Sequence, residues 1–217
     1  MKIYAVNGSP RHQGNTAILL QYALDGAASK GAETELIHLA DYQFSGCKSC
    51  FACKLKNSPS YGRCAVNDEL TPILEKLLTG DGIIFGTPIY FGGETGMFRN
   101  LIERLYFAKF RYDQAHSSLI TKKIRSAFVY TMNVTKEDAE QHHYFERLRM
   151  LRAFGGHLFN TEGPQVLMAY NTKQFDDYSK YDAPLFDPED KSRSRVEQFP
   201  ADCRNAFGLG AEMTVEF

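Results

Sequence analysis

The sequence predicts a doubly wound α/β fold, a mainly parallel sheet of five strands in the order 2-1-3-4-5 with helices on both faces. Three observations predict it. Short continuous apolar runs alternate with segments of helical periodicity; the first run ends in a loop rich in Gly, Ser and Asn; and 217 residues suffice for one buried core but are few for two. Strands that alternate with helices imply parallel neighbours, which need crossover connections. The whole of 1–217 is read as a single domain, with a cysteine-containing insertion at about 40–67 and a surface insertion at about 171–194.

Each element follows in order. Ile3-Tyr4-Ala5-Val6, stopped by Asn7-Gly8, reads as a strand buried on both faces. Asn15-Thr16 opens a helix to about Lys30, with Ile18, Leu19, Tyr22 and Ala23 at helical spacing. Glu33 to Leu39 is the second strand, and Asn67 or Asp68 caps a helix to about Leu78 whose stripe is Leu70, Ile73, Leu74 and Leu77. Ile83 to Gly86 is the third strand, followed by the loop Thr87 to Gly93 and a helix carrying Met97, Leu101, Ile102 and Leu105. Ile124 to Met132 is the fourth strand, Lys136 to Phe154 one helix, Val166 to Ala169 the fifth strand, and Pro200 starts a last helix through about Met213. Asn171 to Ser194, rich in Asp, Lys, Ser and Tyr, reads as a solvated surface insertion in preference to a functional lid.

Composition removes some functions. A formal net charge of −1 without like-charge runs leaves no footprint for nucleic acid or an anionic membrane. No stretch approaches a membrane span, and the N-terminal apolar run is too short for a signal-peptide core, so the chain is read as cytoplasmic. No Gly-x-Ser-x-Gly elbow offers a hydrolase nucleophile. His142 and Glu146 stand four apart on the expected helix but have no third ligand, and a solvated face is preferred to a metal site.

The loop after the first strand falls where doubly wound sheets bind ligands, beyond the carboxyl ends of the strands. Gly8 and Gly14 allow tight backbone, Ser9 and Thr16 offer hydroxyls, Asn15 an amide and Arg11 a charged fork, all beside the N–H groups of a helix start. The P-loop lysine is missing and the spacing is not Gly-x-Gly-x-x-Gly, so a short phosphomonoester fits better than a nucleoside triphosphate or a dinucleotide. A plain helix cap is the other reading of this composition.

Asn7-Gly8-Ser9-Pro10-Arg11-His12-Gln13-Gly14-Asn15-Thr16 resembles the signature of the NADPH-dependent FMN reductase family, which includes the iron-sulfur flavoproteins. A second block, Thr87-Pro88-Ile89-Tyr90-Phe91-Gly92-Gly93-Glu94-Thr95-Gly96 with Phe98 to Leu105, is similar to that family's loop after the third strand. The resemblance is dense over about 1–105 and looser to Phe199-Pro200-Ala201-Asp202-Cys203. It implies a flavodoxin-like fold, with FMN phosphate held by Ser9, Arg11, Gln13, Gly14, Asn15 and Thr16 and the ring lying against Pro88, Ile89, Tyr90, Phe91 and Gly92. Thr131 and Asn133, at the end of the fourth strand, are added on position alone.

Four of five cysteines crowd into Cys47, Cys50, Cys53 and Cys64, a C-x2-C-x2-C-x10-C pattern that suits a [4Fe-4S] cluster, one thiolate per iron. It resembles the compact motif of iron-sulfur flavoproteins, with a longer last spacing. Thiols without metal and a zinc site are the other readings. Cys203 reads as a small buried apolar residue.

The resemblance implies an oxidoreductase in which hydride from NAD(P)H reaches FMN and electrons pass on to a quinone, flavin or similar acceptor. No protein side chain need be catalytic, because the flavin carries the chemistry. An iron-sulfur flavoprotein carrying electrons between FMN and a cluster, and a non-catalytic phosphate-binding domain, are the alternatives. The expected partners are a small-molecule or protein electron acceptor and further copies of the chain, as a homodimer or homotetramer, with no nucleic acid and no membrane.

Overall fold

The computed structural model describes residues 1–215. Along the chain the elements are β1 (Lys2–Asn7), α1 (Asn15–Ser29), β2 (Glu33–His38), α2 (Leu70–Thr79), β3 (Gly82–Tyr90), β4 (Gly93–Glu94) and α3 (Gly96–Lys109). There follow β5 (Arg125–Thr131), α4 (Lys136–Gln141), α5 (Tyr144–Leu158), β6 (Gln165–Ala169), α6 (Pro188–Glu197) and α7 (Phe199–Glu212). The sheet order is β2-β1-β3-β5-β6, and every neighbouring pair on that path is parallel. With the two-residue β4 set aside, this is the flavodoxin-like order 2-1-3-4-5.

Alternation along the strands builds two cores. Tyr4, Val6, Ile83, Phe85, Phe128 and Tyr130 point to the face covered by α2, α3 and α5. Ile3, Ala5, Ile84, Ala127 and Val129 point to the face covered by α1 and α7. Leu70, Ile73, Leu74 and Leu77 of α2 are all buried, at roughly 1.5–3 kcal/mol each relative to exposure.

Two boundaries differ from the sequence reading. β3 runs on through Thr87, Pro88 and Tyr90, where a loop was expected, and Pro88 still lies opposite Thr131. Past the sheet it folds back on β4 as a hairpin, with Ile89 opposite Glu94 and Tyr90 opposite Gly93. The expected helix from Lys136 to Phe154 is two helices, broken at His143, which is left-handed at φ 55°. In α4 only Ala139 is buried, and the first buried residue of α5 is Leu148. Nine positions separate them (148 − 139), half a turn out of phase in a continuous helix, so the break brings both onto the core. The same break removes the helical spacing of His142 and Glu146, whose exposed side chains share no helix face.

Candidate functional site

A cleft of about 230 Å³ opens at the carboxyl ends of β1, β3 and β5. It brings together Ser9, Arg11, Asn15 and Thr16, then Pro88, Ile89, Tyr90 and Phe91, then Thr131 and Asn133. Ten of the thirteen residues expected around a flavin therefore share one wall set. Gln13, Gly14 and Gly92 do not line it; Gln13 is exposed, Gly14 is the N-cap of α1, and Gly92 is buried in the hairpin turn beside Arg147 and Tyr144.

The loop is held by its own backbone and by α3. Gly8 N–H donates to the Gly86 carbonyl at 2.7 Å, and the Thr95 hydroxyl, which caps α3, donates to the Gly8 carbonyl at 2.7 Å. A Cβ at Gly8 would stand 2.9 Å from Phe98, so only glycine lets the loop approach α3 this closely. Asn7 is fully buried; its Oδ1 accepts from Ser9 N–H, and Ser9 Oγ accepts from Arg11 N–H. These turns aim the loop at the start of α1.

That helix start fits a phosphate. Gly14 supplies no capping side chain and the first turn of α1 carries no carboxylate, so its N–H groups and the positive end of the dipole face the cleft. Thr16 is buried and its hydroxyl meets that of Thr131 at 2.7 Å, tying the α1 start to β5. The outer end of the cleft is lined by Pro88, Ile89, Tyr90 and Phe91 and suits a planar ring. The donor set and shape therefore accommodate FMN.

Three further residues line the cleft: Met132, Thr172 and Gln174. Arg11 Nη1 donates to the Gln174 carbonyl at 2.9 Å, Asn133 Nδ2 to Gln174 Oε1 at 2.8 Å, and Asn15 Nδ2 to the Lys173 carbonyl at 2.9 Å. The segment read as a solvated insertion thus begins as a wall of the site, and Thr172, Tyr178 and Lys191 are buried within it. Lys191 donates to the Asn133 carbonyl and to Asn171 Oδ1, and burial pulls its ammonium below the usual lysine range. The only local signal was that Thr172 follows the end of β6 at Ala169 by three positions; the partners of Gln174 lie too far away in sequence to be read.

The four clustered cysteines line one recess with Lys48, Phe51, Val66, Arg104, Phe107 and Ala108. Ser49 and Phe51 take left-handed backbone, which winds the Cys47–Cys53 stretch tightly. Burial pushes the Cys53 thiol up, Lys54 draws it back, and Cys50, Cys64 and Cys47 add to the rise. No three His, Cys, Asp or Glu side chains among the described residues are placed to hold one metal ion. A zinc site needs four ligands on one centre, whereas a cluster asks one thiolate of each iron. Arg104 was not foreseen, although it stands among Leu101, Ile102 and Leu105 on the buried face of α3. Its Nε donates to Cys64 Sγ at 3.3 Å, and Nη1 reaches both oxygens of Asp68 at 2.8 and 2.7 Å. Burial raises the Asp68 pKa, but the Arg104 and Ser45 bonds outweigh it and hold the carboxyl below its usual range. Cys203 is buried on α7, as expected of a small apolar residue.

Comparison with known proteins gives the family and the fold. The sequence matches the family model of the NADPH-dependent FMN reductases over residues 1–154. An iron-sulfur flavoprotein of Methanocaldococcus jannaschii is 41% identical over 104 residues, 48% of this chain and 51% of that protein. An iron-sulfur flavoprotein of Archaeoglobus fulgidus is 43% identical over 109 residues, 50% of this chain and 51% of that protein. The alignment thus spans about half the length of these relatives. In fold, the chain is similar to an NAD(P)H:quinone oxidoreductase from Methanothermobacter marburgensis, with a TM-score of 0.70 at 12% identity, over 100% of this chain and 98% of that one. No helix among the described residues is long and apolar enough to cross a membrane. With the family model matched over residues 1–154 of 217, the chain belongs to the NADPH-dependent FMN reductase family.

Proposed function

We propose that the chain is an FMN-dependent oxidoreductase that takes electrons from NAD(P)H and passes them to a quinone, flavin or similar acceptor. The observation that carries this reading is the convergence of the Gly8–Thr16 loop, the β3 hairpin and the end of β5 on one cleft at the switch point of the sheet. When bound, FMN supplies the hydride-accepting and electron-transferring chemistry. The chain's own residues bind and orient. Ser9, Arg11, Asn15, Thr16 and the first-turn N–H groups of α1 take the phosphate. Pro88 to Phe91 take one side of the ring, Thr131 and Asn133 its edge, and Thr172 and Gln174 close the cleft from the far wall. Tyr90 and Phe91 are exposed beside the cleft, which favours a dimer or tetramer that covers them.

A second reading, electron transfer between FMN and a [4Fe-4S] cluster on Cys47, Cys50, Cys53 and Cys64, is favoured by the shared recess of the four sulfurs. Iron and acid-labile sulfide in protein prepared without oxygen would support it; flavin without iron would leave the reductase reading alone.

The flavin site is tested by titrating apoprotein with FMN and with riboflavin. FMN should bind and riboflavin, which lacks the phosphate, should bind far more weakly. Arg11→Ala should weaken FMN binding by about 10- to 100-fold, the worth of a charge-assisted hydrogen bond, with a melting temperature close to wild type because Arg11 is exposed. Colourless protein that cannot be reconstituted with FMN would overturn the proposal.

A further inference from the structure

Arg104 is 1% exposed, and all three of its guanidinium nitrogens have partners. Nε donates to Cys64 Sγ; Nη1 donates to Asp68 and to the Ser45 carbonyl at 3.1 Å; Nη2 donates to the Val66 carbonyl at 3.1 Å and to Thr71 Oγ1 at 3.3 Å. Ser45 precedes the first cysteine and Val66 follows the last, so one side chain fastens both ends of the cysteine loop to α3. Ser45 N–H also meets Asp68 Oδ2 at 3.3 Å, which closes the loop at its base. Lys48 also lines the recess, while Lys54, next to Cys53, donates to the Phe107 and Phe110 carbonyls instead.

We propose that Arg104 is a positioning residue that sets the reduction potential of the cluster held by Cys47, Cys50, Cys53 and Cys64, through its N–H bond to the Cys64 sulfur. The inference rests on the cluster reading above. An iron-sulfur cluster gains negative charge on reduction, so a donor and a positive charge at one of its sulfurs favour the reduced form and raise the potential. Burial away from water makes that charge count for more. The Asp68 carboxylate, in contact with the same guanidinium, offsets the charge and trims the effect. The two residues therefore act in opposite directions.

The test is a redox titration, followed by electron paramagnetic resonance, of full-length protein reconstituted anaerobically with iron and sulfide. Arg104→Lys keeps the charge but loses the planar fork that reaches Asp68 and Cys64 together, and its midpoint should move negative. Asp68→Asn keeps Arg104 in place but leaves its charge uncompensated, and its midpoint should move positive. Both variants should carry wild-type iron and sulfide, and if Arg104→Lys does not fold, Asp68→Asn decides alone. Loaded variants with the wild-type midpoint, or shifts of the same sign in both, would overturn the inference while leaving the cluster reading intact. Wild-type protein that takes up no iron would overturn the cluster reading and the inference with it.

Discussion

Phe91 takes φ 53° and Gly92 φ 78° in the two-residue turn between β3 and β4, and the Phe91 side chain is fully exposed. Both central residues of such a tight hairpin turn need positive φ, which Asn-Gly satisfies and a bulky residue does not. Left-handed backbone costs a non-glycine residue roughly 1–2 kcal/mol, so Phe91→Asn should raise stability by about 1 kcal/mol in chemical denaturation. Unchanged or lower stability would show that the ring is covered in solution. Asp202 presents the opposite case, a polar group strained by burial. It is 4% exposed, Gln198 donates to its Oδ1, and Oδ2 has no partner among the described residues. Burial raises its pKa above 3.8, and the Gln198 bond only partly counters that. The folded state thus holds this proton more tightly than the unfolded chain. Its contribution to stability is full below pH 3.8 and is lost as pH rises through the raised folded value. Asp202→Asn should therefore raise the melting temperature at pH 7 by a few degrees, at roughly 2–4 °C per kcal/mol, and match wild type near pH 3. The positive end of α7, in whose first turn Asp202 lies, keeps the gain small.

At the level of elements, α1 and α7 meet through backbone. A Cβ on Gly210 would stand 1.7 Å from the Ala23 carbonyl oxygen, and one on Gly26 would stand 2.0 Å from that of Phe207. Gly208, on the same helix, has nothing within 4 Å of its Cβ position. Alanine is the better helix former by roughly 1 kcal/mol, so Gly208→Ala should stabilise by up to that amount. Gly210→Ala should instead destabilise by about 1–3 kcal/mol through overpacking, and urea melts of the pair separate propensity from contact. Such contacts are invisible in sequence, where both glycines simply weaken a helix. The strands and α1, α2, α3 and α7 were legible because each carries its own apolar period. The extension of β3 was not, because Thr87-Pro88 carries the local signature of a turn while its pairing partner, Thr131, lies more than forty residues on. The break between α4 and α5 was hidden for a related reason: it depends on where the sheet lies, not on a breaker residue.

Over the whole molecule, legibility followed sequence distance. The phosphate loop and the Pro88–Phe91 block could be read because each is a contiguous string of suited residues. Gln174 and Arg104 could not, since their roles come from partners such as Arg11, 163 positions away, and Asp68, 36 positions away. The chain from 46 to 66 carries the cysteines on a path whose ends meet at Ser45 and Asp68. Replacing that stretch by a short Gly-Ser turn should leave FMN affinity within about threefold, because the segment lines no part of the cleft, and should abolish iron binding; lost flavin affinity would show that the loop props the cleft. Shortening a loop changes its closure entropy only slowly with length. A loop that begins and ends at one point, both ends gripped by one arginine of the helix beneath it and its middle held by Lys54 on the Phe107 and Phe110 carbonyls, is also transplantable. Another doubly wound protein with an arginine at the same turn of its third helix and an aspartate opposite could receive it whole, acquiring a second redox centre by one insertion with no redesign of its sheet.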